Sequence, residues 1–172
     1  MIHTLRILPV LALIQLSLLG KPFHIYSPSS KQNTLWIVKA IPKGESLKLE
    51  VAEKVKFDFS GRVITAHPSK PLLYVTATGG DPGKVPGAVV FLNKDGSYLK
   101  HQNINFNDGA CFLSLDKENR HILGVSYGNG RLNVYPLDDQ GIPGKAVTTI
   151  DEGKKEAHCV LLPPDGKNVY IP

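Results

Sequence analysis

A turn phrase that comes back nearly every fifty residues constrains this chain more than any other feature. It reads HPSKPLLYV from His67 to Val75, DKENRHILGV from Asp116 to Val125, and PPDGKNVYIP from Pro163 to Pro172. Aligned without gaps, Pro68, Lys117 and Pro164 are equivalent and lie 49 and 47 residues apart. The phrase joins Pro, Gly, Asn and Asp, which favour tight turns, to an apolar run. A second phrase follows it, a strand and then a polar turn: NTLWIVKAIPKGESLKL, GAVVFLNKDGSYLK and GRLNVYPLDDQGIPGKAV. Between turns, apolar and polar residues alternate with the period of a strand, and no helical period with caps follows Lys21. Each repeat therefore predicts about four strands, the content of one propeller blade of roughly 40–50 residues. A β-sandwich would not repeat its turns at fixed spacing, and β-helix repeats are much shorter. The expected fold class is all-β, a β-propeller with about three blades present in residues 21–172.

The first twenty residues break the pattern. After Arg6, the segment Ile7–Gly20 carries no charge. Its length suits the apolar core of a signal peptide and is short for a bilayer span. A buried N-terminal helix is the alternative. The abrupt change at Lys21 favours a signal peptide over residues 1–20, followed by the propeller domain over 21–172. Export is the expected localisation, with no membrane attachment after cleavage, because no cysteine follows the apolar run to carry a lipid.

Composition excludes other classes. The formal charge of +5 is scattered along the chain, and its densest run is Lys154-Lys155. Nucleic-acid binders cluster their cations on one face, so no nucleic-acid partner is expected. The two cysteines, Cys111 and Cys159, show no metal-ligand spacing, and neither a metal nor another cofactor is expected. They fall at adjacent places in neighbouring repeats. Packed sheets lie about 10 Å apart, beyond the roughly 7 Å a disulfide spans, so the two should not be bonded. His67 reads as a turn residue and Trp36 as blade core. Gly79–Lys84 lacks the spacing of a phosphate loop and reads as an inter-strand loop. No Gly-x-Ser-x-Gly elbow is present.

Several segments resemble the 6-phosphogluconolactonase propeller family. The stretch Ala157–Pro172, AHCVLLPPDGKNVYIP, is similar to that family's histidine, Pro-Asp-Gly turn and aromatic-Val strand ending in Pro. The stretch Val125–Gly144 resembles its Ser-Tyr-Gly phrase and valine-rich strand, and Lys21–Ala40 resembles its opening hairpin. The resemblance implies a seven-bladed ring, which would need well over roughly three hundred residues at this repeat length. The expectation is therefore an N-terminal, incomplete propeller. It also implies hydrolysis of a sugar lactone to the open acid, with a small-molecule lactone as partner. The family lines one face of its channel with a histidine, an arginine and a glutamate. His158 matches the histidine and is the expected catalytic residue. Tyr127, in the Ser-Tyr-Gly phrase, is the expected substrate-binding residue. The arginine and glutamate have no match here, so the chain alone is expected to be inactive, and its open blade edge to invite aggregation. Export argues against 6-phosphogluconolactone itself, a cytosolic metabolite. The competing reading is a non-catalytic binding or scaffold propeller that presents loops on one face. The later-blade arginine and glutamate would decide between the two.

Overall fold

The computed structural model describes residues 20–77, 79–151, 153 and 156–172. Apart from Gly20, the signal peptide expected over residues 1–20 lies outside the described residues. Everything regular that is described is β. The strands are β1 (Phe23–Ser29), β2 (Thr34–Lys43), β3 (Ser46–Lys56), β4 (Val63–Ala66), β5 (Leu72–Thr76), β6 (Val85–Leu92), β7 (Tyr98–Phe106), β8 (Phe112–Leu115), β9 (His121–Val125), β10 (Arg131–Pro136) and β11 (Thr148–Asp151). They form three antiparallel meanders, β1-β2-β3, β4-β5-β6-β7 and β8-β9-β10-β11. The second and third sheets have the expected four strands, and the first has three. Leu161 and Tyr170 form an antiparallel bridge that opens a further hairpin.

The repeated phrase occupies equivalent turns. Pro68 lies in the β4–β5 hairpin, Lys117 in the β8–β9 hairpin and Pro164 between the bridged Leu161 and Tyr170. Each turn is held by a side chain near its start that accepts from backbone amides ahead of it. In the second sheet the acceptor is His67, whose Nδ1 receives the amides of Ser69 (3.2 Å) and Lys70 (3.1 Å). In the third it is Asp116, whose Oδ1 receives Arg120 (2.7 Å) and His121 (3.0 Å). In the last copy Asp165 receives the Lys167 amide at 3.1 Å, and Gly166 takes the left-handed conformation, φ 66°.

The second sheet sits between the other two, which explains its sequence. All five residues of β5 are buried, and β6 is buried at six of eight positions. A sheet covered on both faces has no polar side, so Leu72–Val75 and Ala88–Phe91 read as continuous apolar runs instead of alternating. One core joins Leu35, Ile37 and Val55 of the first sheet, Tyr74, Val75 and Val89 of the second, and Leu113, Ile122 and Tyr135 of the third. Across the second boundary the Phe106 ring meets Tyr135 edge-on at 5.1 Å. A second, smaller cluster packs Leu123, Val125 and Leu132 against Ala157 and Val160 of the segment that leaves β11. Gly87 in β6 is required by close approach, because a Cβ there would sit 2.6 Å from the Phe106 ring and 2.8 Å from the Val75 carbonyl.

Trp36 departs from its expected place. It lies on the face of the first sheet turned away from the second, half-buried, with Lys54 Nζ 4.2 Å from its ring centre. Among the described residues no sheet covers that face, so the alternation of β2 buries Leu35 and Ile37 and leaves Trp36 to its lysine.

Candidate functional site

A meander sends successive connections to opposite ends of its sheet. The links between sheets (residues 57–62, 107–111 and 156–160) therefore share one end with the β5–β6 and β9–β10 turns. Tyr127 and His158 both lie at that end, and the structure brings them together. Their rings meet edge-on, with centroids 4.9 Å apart and planes 74° apart. Both residues are exposed, Tyr127 at 46%.

Local structure explains the meeting. The β9–β10 turn is tied by Ser126, whose amide donates to the Arg131 carbonyl (2.9 Å), and by Gly130, which donates back to the Ser126 carbonyl (2.9 Å). Gly130 has φ 70°, a conformation that costs glycine little. Tyr127 thus stands at the crest of a tight turn. The segment after β11 is drawn beneath it. The Glu156 amide donates to the Tyr127 carbonyl at 2.9 Å, and the Cys111 thiol donates to the Ala157 carbonyl at 3.1 Å and the Val125 carbonyl at 3.3 Å. Burial pushes the Cys111 thiol above its ordinary range, so it is held as a protonated donor. Cys111 and Cys159 are both free thiols, as their repeat spacing requires. His158 donates its own amide to the Pro172 carbonyl at 3.1 Å, and its side chain is exposed beside the Tyr127 ring.

Beside this pair lies a polar network that sequence reasoning missed. Asp108, whose side chain is only 8% exposed, accepts from the Asn129 amide group at Oδ1 and the Asn133 amide group at Oδ2, each at 2.8 Å. Thr149 donates to Asn133 Oδ1 at 2.7 Å, and Asn129 Oδ1 receives the Arg131 amide at 3.0 Å. Arg131 pairs with Asp151 at 2.7 Å and stands 3.8 Å from Asp108. The Asp151 bond raises the guanidinium pKa further and lowers that of Asp151. Asp108, Arg131, Asn133 and Thr149, with Pro82, Gly83 and Asn107, line a cleft between the second and third sheets. The network fixes the β9–β10 turn through Asn129, and so it sets where Tyr127 stands. Its sequence signal was the alternation Asn129-x-Arg131-x-Asn133, three polar side chains on one face of a strand start. In the sequence Asn129 reads as a turn residue beside Gly130.

Among the described residues no group of three or more His, Cys, Asp or Glu is placed to hold a metal. Chemically, the rim offers an accessible imidazole for proton transfer and a phenol for hydrogen bonding. The Arg131 guanidinium beside them is engaged by Asp151.

Three antiparallel meanders stacked face to face, with their inter-sheet links and a His–Tyr pair gathered at one end, define part of a β-propeller. The family described as "Lactonase, 7-bladed beta-propeller" matches residues 27–172. The chain belongs to that lactonase family. It is 27% identical over 146 residues to a 6-phosphogluconolactonase of Klebsiella pneumoniae strain 342, and 26% identical to that of strain ATCC 700721 / MGH 78578. Each alignment covers 85% of this chain and 41% of the relative, so the chain spans well under half the length of the curated relatives it matches. Among solved structures it is similar to the periplasmic gluconolactonase of Pseudomonas aeruginosa, with a TM-score of 0.72 at 14% identity. That match covers 88% of this chain and 47% of the other, and at this identity it establishes the propeller fold.

Proposed function

We propose that this chain contributes the His158–Tyr127 rim of an exported lactonase that opens a sugar lactone to its hydroxy acid. Residues 1–20 are its signal peptide and 21–172 its propeller domain. The observation that carries the reading is the edge-on contact of Tyr127 and His158 at the end where the inter-sheet links gather. Membership of the lactonase family and the names of its curated relatives support the reaction class. The uncharged run Ile7–Gly20 supports export, as does the periplasmic origin named for the similar Pseudomonas protein.

Lactone opening adds water across the ring C–O bond. The exposed imidazole of His158 takes a proton from water as its oxygen attacks the lactone carbonyl carbon. The tetrahedral intermediate then breaks its ring C–O bond, and the proton passes to the departing alkoxide oxygen. The products are an alcohol and a carboxylic acid on one chain, and near pH 7 the acid releases its proton to solvent as the carboxylate. A neutral histidine suits this task near pH 7. The Tyr127 hydroxyl donates to a polar group of the sugar and holds the carbonyl within reach of the water. General-base catalysis supplies a factor of roughly 10²–10⁴. Stabilising the oxyanion usually contributes more, and neither residue carries the charge that would do so.

A pH-stat assay of gluconolactone hydrolysis tests the assignment. In a complete seven-bladed protein bearing this segment, His158→Ala lowers kcat by at least about a hundredfold. Tyr127→Phe raises KM with a smaller effect on kcat, as expected for a binding hydroxyl. The 172-residue chain by itself turns over negligibly, because His158 and Tyr127 alone do not stabilise the oxyanion. An unimpaired His158→Ala variant would assign His158 a purely structural role.

A further inference from the structure

The end of the stack opposite His158 and Tyr127 holds a second cleft. Its walls are the hairpin turns that join β4 to β5 and β8 to β9, together with the turn that follows β10. The cleft has a volume of about 520 Å³, within the size range of small-molecule sites. Every residue that lines it belongs to the second or third sheet, and both of these have their four strands. Two contacts tie the walls together. Lys70 Nζ donates to the Asp139 carbonyl at 2.7 Å, and the Tyr74 hydroxyl donates to the Gly141 carbonyl at 2.9 Å.

Each wall contributes one histidine, and the two rings are held in opposite senses. On the second sheet His67 is 6% exposed. Its Nδ1 accepts the amides of Ser69 and Lys70, so in the neutral ring the hydrogen sits on Nε2. Nε2 lies on the side of the ring away from those amides, buried and without a partner among the described residues. A buried donor left without an acceptor is costly, and this one sits in the wall of a cleft, where an acceptor from outside the chain can reach it. On the third sheet His121 Nδ1 lies 2.8 Å from Asp116 Oδ2. An ionised carboxylate only accepts, so Nδ1 donates and the neutral ring offers Nε2 as an acceptor. One cleft thus presents an imidazole donor from one sheet and an imidazole acceptor from the next.

The other lining groups narrow the class of ligand. His67 has no lone pair left for a metal, and among the described residues no three ligating side chains converge. A simple anion is disfavoured, because Glu118, Asp138 and Asp139 outnumber Lys70 and Arg120. A hydroxyl both donates and accepts, and so suits both histidines. Arg120 and Glu118 make no ion pair among the described residues, and they add further donors and acceptors. Pro136 and Leu137 supply a half-buried apolar patch for the C–H face of a ring.

We propose that this cleft binds a monosaccharide, at a site separate from the His158–Tyr127 rim, with one sugar hydroxyl accepting from His67 Nε2 and another donating to His121 Nε2. The site stands on its own geometry and does not depend on the hydrolytic reading of the opposite end.

Magnetic resonance of the isotope-labelled 172-residue chain tests this, with methyl glucoside as the probe. This neutral sugar has no lactone to open. The titration is run at about pH 8, where an ordinary histidine is neutral. The imidazole signals of His67 and His121 should shift together and saturate at about millimolar sugar, while those of His158 stay in place. Inorganic phosphate over the same range should give no saturating shift. His67→Asn keeps an acceptor for the turn and removes the ring donor. It should weaken binding at least about fivefold, read at His121. His121→Phe removes the acceptor and should cost a similar factor, read at His67. Signals at His67 and His121 that stay still, or that move without saturating, overturn the proposal and leave Nε2 to an internal water. So does a shift confined to His158, which would place the sugar at the opposite end. Saturation by phosphate and not by sugar overturns it as well, by making the cleft an anion site. If His67→Asn does not fold, Arg120→Ala, on an exposed side chain without an ion pair, carries the test with the same expected loss.

Discussion

At the scale of single residues, His67 shows how one side chain can do another's work. It stands where Asp116 stands one repeat later, and like that carboxylate it accepts two backbone amides ahead of it in the turn. An imidazole can do so only while Nδ1 is unprotonated. Its other nitrogen, Nε2, then carries the hydrogen and lies buried with no protein partner. Burial and the nearby Lys70 both push its pKa below the ordinary histidine value. The unfolded chain therefore binds this proton at higher pH than the folded one. It follows that stability is full above about pH 6.5 and declines as the pH falls from there toward the folded pKa, below which it levels off. A His67→Asn variant keeps an acceptor in the turn without a titrating group. Urea unfolding at pH 7.5 and 5.5 should show a loss of stability for the parent chain in this window that is smaller in His67→Asn. Equal losses in the two proteins would place the titration elsewhere. The sequence marked His67 as a turn residue, because it sits in the repeated phrase. Its acceptor role was not legible, since histidine at that place has no turn signature of its own.

At the scale of strands and sheets, the repeat spacing was enough to place the hairpins at Pro68, Lys117 and Pro164, because turn chemistry is local. What joins sheet to sheet is not local. Tyr26 and Tyr74 read as ordinary strand aromatics, and their hydroxyl partners, Gly96 and Gly141, lie 70 and 67 residues along the chain. Trp36 was misplaced for a related reason. Alternation shows that a strand has two faces, but it does not say which one a neighbouring sheet will cover. The same ambiguity hid the Asp108 network, whose members come from β10, β11, the 107–111 link and the β9–β10 turn. Tyr74→Phe isolates the inter-sheet contact. It removes one buried hydrogen bond and leaves the Gly141 carbonyl without its donor, at a cost of about 1–3 kcal/mol. Equilibrium denaturation should show that loss with an unchanged denaturant slope, because the sheets themselves remain intact. No loss would mean that water replaces the phenol at that carbonyl.

At the scale of the whole molecule, the family and its architecture were the most legible features, since a propeller writes its period into the chain. Of the candidate site, the sequence supplied His158 and Tyr127 from phrases 31 residues apart. The fold added their contact and the thiol and amide that draw the two segments together. The sandwiching of the second sheet has one more consequence, which deuterium would read. Strand β5 is paired on both edges, by β4 and β6, and all five of its residues are buried between sheets. Its amides have no route to solvent short of global unfolding. Strand β3 lies at an edge with nearly every residue exposed, so its amides need only local fraying. In exchange measured by mass spectrometry, the peptide spanning β3 should fill first and the one spanning β5 last. Between those two extremes, the order in which the remaining strands take up label would give the depth of each sheet within the stack.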